Sequence, residues 1–129
     1  MDDRNINLAP AEWNVMECLW EKSPLTGREV TELMAEKCGW SRSTTLTLLS
    51  RMEAKGAVGG NTDGGKKAFY PLVCRKDAAI QETEDLLARV YNGSVSMMVS
   101  ALTHRQALSQ KEIDELYAIL KETEGKSDA

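Results

Sequence analysis

Covalent chemistry needs a nucleophile, a base or a cluster of metal ligands, and this 129-residue chain offers few of them. Its one histidine, His104, has no acidic or thiol neighbour at ligand spacing, and its three cysteines, Cys18, Cys38 and Cys74, form no CxxC pair. No Ser/His/Asp set, no carboxylate pair and no glycine-rich phosphate loop at a strand-to-helix turn can be assembled. Neither an enzyme nor a metal site nor a cofactor is expected. An odd cysteine count without pairing also excludes a secreted disulfide framework, and the thiols are expected inside or beside the core. Oxidant sensing through Cys18 and Cys38 stays open as an alternative.

Recognition chemistry is better represented. In "SRSTTLTLLSRMEAKG", residues 41 to 56, Thr45, Leu48, Leu49 and Met52 recur at i, i+3, i+4 and i+7 and make one apolar helix face. The rest of the segment presents Arg42, Ser43, Thr44, Leu46, Thr47, Ser50 and Arg51. Hydroxyls of that kind bond phosphates or base edges, and arginines supply charge or bidentate contacts to guanine. Lys66 and Lys67 follow at a turn rich in Asp and Gly. The whole chain carries a net charge of −4, which argues against nucleic acid, but the average conceals a split. Residues 37 to 75 hold seven basic side chains against Glu53 and Asp63, a net of +5, whereas the chain from residue 76 onward has a net of −4.

The elements that must position these residues can be read from caps and periodicity. Pro10 suits a first helical position, and Trp13, Met16, Leu19 and Trp20 then share a face to about Lys22. "KSPL" breaks that helix. Thr26 with Glu29 is a capping box that opens a second helix carrying Val30, Leu33 and Met34, and Gly39 stops it near Cys38. Ser41 caps the third, which Gly56 ends. "AVGGNTDGGKKAFYPL" reads as a β-hairpin with Lys66 and Lys67 near its tip. Three further helices follow, at Asp77 to Tyr91, Val95 to about Leu102, and Ser109 to about Glu122, the last opened by a Ser109/Glu112 box.

The expected fold is mainly α with a small hairpin. Residues 8 to 74 form one unit, residues 76 to 122 a second, and 123 to 129 a disordered tail. The second unit has no sheet and too few residues for a core of its own. Its apolar positions are Leu87, Val90, Tyr91, Val95, Met98, Val99, Leu102, Ile113, Leu116, Tyr117 and Leu120, and burying them against a second copy makes a homodimer. No apolar run approaches the ~18 residues of a membrane span, and "MDDRNINLAP" is polar and acidic rather than a leader, so a cytoplasmic protein without membrane insertion is expected.

Three helices followed by a hairpin is the order of a winged helix-turn-helix, in which the third helix enters the major groove and the hairpin flanks it. "LAPAEWNVMECLWEKSPLTGREV", "WSRSTTLTLLSRMEAKGAV", "FYPLV", "VYNGSVSMMVSAL" and "LSQKEIDELYAIL" stand in the order and spacing of the penicillinase repressor family, which this chain resembles from about Leu8 to Leu120. The resemblance implies a winged-helix DNA-binding domain, a helical dimerisation domain and a dimeric repressor on a palindromic operator in double-stranded DNA. Copper-responsive members end in a CxCxxxxCxC cluster, and no cysteine here lies beyond Cys74. The β-lactam-responsive members are inactivated by a membrane sensor metalloprotease that cuts an Asn–Phe bond; the aligned bond here is Ala101–Leu102. At Leu46 relatives commonly carry lysine or arginine, so leucine, which can lie against a thymine methyl, implies a different operator. Two alternatives remain, a winged-helix protein–protein adaptor and a thiol- or metal-gated regulator.

Overall fold

The computed structural model describes residues 6–126 and divides the chain into two units, one up to Asp85 and one from Leu86 on. In the first unit the order is α1 (Pro10–Glu21), β1 (Leu25–Thr26), α2 (Gly27–Cys38), α3 (Arg42–Lys55), β2 (Val58–Asn61) and β3 (Ala68–Pro71), followed by the start of α4 (Arg75–Tyr91). The caps act as their residue types dictate. Thr26 Oγ1 accepts the Glu29 N–H at 3.1 Å while the Glu29 carboxylate accepts the Thr26 N–H at 2.8 Å, and Ser41 Oγ accepts the Thr44 N–H at 3.2 Å. Gly39 and Gly56 close α2 and α3 with φ of 71° and 87°, values that cost glycine little because it has no Cβ. The hydrogen bonds at Glu29, led by that of the Thr26 N–H, hold its carboxyl below its usual pKa.

The sheet is larger than the expected hairpin. Its order is β1-β3-β2, all antiparallel, with Leu25 opposite Phe69 and Thr26 opposite Ala68 on one side of β3, and Gly60 opposite Phe69 on the other. β1 is two residues long, so no alternation marks it in the sequence. The turn between β2 and β3 carries a short 3₁₀ segment, Asp63–Gly65, with Gly64 and Gly65 at positive φ.

The core of this unit joins Val15, Met16 and Leu19 of α1, Val30 and Met34 of α2, Leu49 and Met52 of α3, and Val58 and Phe69 of the sheet. Thr45 is buried with the α3 stripe, and among the described residues its Oγ1 has no hydrogen-bond partner, so its methyl group rather than its hydroxyl suits the site. Trp13 and Trp20 pack against this core. Val15, Met16 and Leu19 take the innermost positions of α1, while Trp13 and Trp20 stand half-buried at the rim, edge to face at 5.3 Å between ring centroids. Indole N–H groups explain this placement, because each needs a polar partner: Trp13 Nε1 donates to Glu17 and Trp20 Nε1 to the Val73 carbonyl. Arg75 closes the cluster, donating to both Glu17 oxygens at 3.0 and 2.9 Å with its guanidinium near both rings. That hydrogen-bonded pairing holds the Glu17 carboxyl below its usual pKa.

Cys18 is buried, and desolvation pushes its thiol above the usual range; Cys38 is half-buried and Cys74 exposed, so Cys74 departs from the expected place in or beside the core. The second unit comprises the rest of α4, α5 (Val95–Arg105) and α6 (Gln110–Lys126). Asn92 and Gly93, both at positive φ, end α4, and Ser94 and Ser109 cap the next two helices. α6 runs past the expected end at 122, since Glu122, Thr123 and Glu124 are compatible with a continuing helix; residues 127–129 of the expected tail lie outside the described residues. Among the described residues no helix is long and apolar enough to cross a membrane.

Candidate nucleic-acid interface

α3 divides cleanly between its two faces. Thr45, Leu48, Leu49 and Met52 are buried, whereas Arg42, Ser43, Thr44, Leu46, Thr47, Ser50 and Arg51 are all exposed. Thr47 and Arg51, one turn apart, form a ridge between two shallow depressions. One is lined by Leu46, Thr47, Ser50, Arg51 and Ala54, the other by Trp40, Ser43, Thr44, Thr47 and Arg51 among others. At the capped end the Ser41 hydroxyl contacts those of Ser43 and Thr44, at 3.4 and 3.0 Å. The outer face therefore offers short polar groups with a cation near each end, low enough for a groove wall to approach the backbone.

Leu46 is the exception in chemistry. It is 37% exposed, and its Cδ2 lies 3.5 Å from where a Cβ at Gly27 would stand, with Phe69 Cε2 3.8 Å from the same point. Both are ordinary contact distances, so Leu46 lies against the first turn of α2 beside Phe69. Part of this leucine is thus packing, and the remainder is an apolar surface on an otherwise polar face.

The charges of the basic segment are less free than their count implies. Lys55 Nζ donates to the Glu12 carboxylate at 2.7 Å and to the Asn7 carbonyl at 2.8 Å, and the Glu12 side chain is only 1% exposed. Lys67 Nζ donates to Glu53 at 2.7 Å, and Arg75 is bound by Glu17. Glu12 and Glu17 lie outside the window of residues 37 to 75, which is why counting within it missed them. Among the described residues Lys37, Arg42, Arg51 and Lys66 have no ion pair. Arg42 and Arg51 stand on the outer face of α3, while Lys66 stands at the base of the β2–β3 turn, where its charge adds to those lowering the Glu29 pKa.

In the second unit Val90, Val95, Leu102, Leu116, Tyr117 and Leu120 are exposed in the single chain, and Leu87, Tyr91, Met98, Val99 and Ile113 are half-buried. Leu86, Met97 and Ile119, which the sequence reading left out, are exposed as well. Ala101 and Leu102 lie inside α5, where the Leu102 carbonyl accepts the Gln106 N–H at 3.1 Å. His104 is exposed, with Nδ1 3.1 Å from the Ser100 carbonyl. Among the described residues no group of three or more His, Cys, Asp or Glu side chains could hold a metal ion.

A family model described as "Penicillinase repressor" matches residues 8–122. The penicillinase repressor of Bacillus licheniformis is 32% identical over 115 residues, covering 89% of this chain and 90% of that protein. The methicillin resistance regulatory protein MecI of Staphylococcus aureus (strain N315) is 30% identical over 120 residues, 93% of this chain and 98% of that protein. Among solved structures, the DNA-binding domain of the repressor BlaI matches with a TM-score of 0.52 at 27% identity, over 60% of this chain and 93% of that one. The monomeric form of Bacillus licheniformis BlaI in complex with the blaP half-operator matches with a TM-score of 0.51 at 28% identity, over 56% and 88%.

Proposed function

The chain belongs to the penicillinase repressor family, a family of DNA-binding transcriptional repressors, and on that premise we propose that it represses as a homodimer on a palindromic operator. The observation that carries this reading is the outer face of α3. Seven residues at helical spacing, Arg42 to Arg51, are exposed there, and among the described residues neither arginine is engaged in an ion pair. A solved relative in complex with a half-operator supports the same use of this unit.

In this reading α3 lies in the major groove, with Arg42, Ser43, Leu46 and Thr47 toward base edges. Thr44 at the capped end, with Ser50, Arg51 and Lys66, faces phosphates. The second unit supplies the dimer. Its three helices leave apolar faces uncovered in one copy, and a second copy covers them with the same residues by symmetry. Two recognition helices then meet successive major grooves about 10 bp apart. Cleavage at Ala101–Leu102 by a membrane sensor metalloprotease would release the repressor by breaking α5, and it requires that helix to unwind around the bond.

The test is a titration of a labelled duplex from the chain's own upstream region. Affinity is expected to fall steeply with salt, as counterion release requires; a chain indifferent to the duplex at every salt concentration would leave the adaptor reading instead. Replacing thymine by deoxyuridine removes only the C5 methyl groups, and wild-type affinity should drop by roughly fourfold for each half-site, the value of about 0.8 kcal/mol for one buried methyl-sized group. Leu46→Ala should bind both duplexes alike. Equal sensitivity of the two proteins to uracil would mean that Leu46 reads nothing.

A further inference from the structure

We infer that Lys67 is a positioning residue that ties the wing to the recognition helix, leaving Lys66 as the lysine that brings the wing's charge to the DNA backbone. The inference rests on the DNA-binding reading above and concerns which residues of the wing do what.

The geometry around Gly60 carries it. From the start of β3 the Lys67 side chain crosses β2 at Gly60 and ends 2.7 Å from Glu53 Oε1 on α3. Its ammonium also lies 5.4 Å from the centroid of the Phe69 ring. A Cβ at Gly60 would fall well inside contact with Lys67 Cε and 3.0 Å from Glu53 Oε2, so a side chain there would push both flexible ends aside, and glycine leaves the path open. One position earlier a Cβ at Gly59 would stand 2.5 Å from the Tyr70 ring. The paired glycines of "VGGN" thus each make way for a side chain from the β3 side, and the lysine is the one that continues to α3.

Both members are partly exposed, at 44% and 35%, so the pair contributes little to overall stability. Its effect is on placement. It joins residues 14 apart in sequence and adds a tie from the end of the wing to α3 beside their shared core, and in this assignment that tie restricts the wing's pose beside the helix. The neighbouring Lys66 is exposed and, among the described residues, has no ion pair. A lysine already opposed by a carboxylate at 2.7 Å brings little net charge to a phosphate.

Salt dependence separates the two roles, because each lost phosphate contact reduces the slope of log affinity against log salt by about 0.9. On a duplex carrying one half-site, where one copy reads the DNA, Lys66→Gln should reduce the slope by about that amount. The double variant Lys67→Gln/Glu53→Gln, which leaves net charge unchanged, should lose roughly two- to fivefold in affinity, the scale of a surface ion pair, with the slope unchanged. A fall of about one in the slope of the double variant would make Lys67 a direct contact and overturn the assignment. Unchanged affinity with unchanged slope would overturn it too, since the pair would then position nothing. If Glu53→Gln alone raises both affinity and slope, Glu53 restrains a contact lysine and the tether is wrong. A wild-type chain without affinity for the duplex would remove the DNA-binding reading and this assignment with it. Melting within a few degrees of wild type would show that the variants are folded.

Discussion

Glutamate at both Leu116 and Leu120 is expected to leave a folded chain that is monomeric and binds a two-half-site operator roughly a hundredfold more weakly or worse, while its affinity for a single half-site is unchanged. Leu116 and Leu120 stand one turn apart on α6 and are 38% and 61% exposed in one copy, so substitution creates no buried charge in the monomer. In the dimer proposed here the same positions are buried against a partner, where an unpaired carboxylate is strongly disfavoured. The loss on DNA comes from linkage. Joining two reading units turns the second half-site into an intramolecular event, and gains of 10²- to 10⁴-fold are typical of such coupling. Sedimentation of the variant, followed by titration on one- and two-half-site duplexes, reads both effects. A variant that stays dimeric would show that this face of α6 is not the interface.

Lys55→Met is expected to destabilise the first unit by roughly 2–3 kcal/mol, lowering its melting midpoint by roughly 10 °C. Glu12 is buried at 1% exposure, and one carboxylate oxygen accepts both the Ala9 N–H at 2.8 Å and the Lys55 ammonium at 2.7 Å. Deleting the ammonium leaves a buried carboxylate with a single donor. Loss of one partner from a buried pair costs roughly 3–5 kcal/mol, and the 32% exposure of Lys55 places this case lower, because water can partly replace it. Adding Glu12→Gln should restore most of the loss, since the amide oxygen still accepts from Ala9 and no charge remains to be compensated. Thermal melts of the two variants decide it. If Lys55→Met melts within a degree or two of wild type, Glu12 does not depend on that partner.

These pairs mark the limit of what sequence can convey. The Thr26/Glu29 and Ser109/Glu112 boxes, the Ser41 cap and the glycine stops at 39 and 56 are local, each satisfied within a turn, and the structure has them where the residue pattern puts them. The two faces of α3 were equally legible, because burial there follows helical periodicity. By contrast, Glu12 with Lys55, Glu17 with Arg75 and Glu53 with Lys67 join residues 43, 58 and 14 apart, and no periodicity connects them. Counting charge in a window subtracted Glu53 but treated Lys55 and Arg75 as free when the fold had already engaged them. β1 escaped notice for a related reason. Two residues after a proline carry no alternation, and only the pairing of Leu25 and Thr26 with β3 makes them a strand. The shared face of Trp13 and Trp20 was legible in their spacing, but the N–H partners that hold them at its rim were not.

Selection of DNA by the full-length chain from a random duplex pool, followed by sequencing of what is retained, tests the central claim most directly. A homodimer reading DNA through α3 should enrich an inverted repeat whose half-sites are centred about 10 bp apart, and Arg42→Ala should relax the preference within each half-site. A retained pool no different from the input, or one enriched in a single unrepeated element, would contradict it.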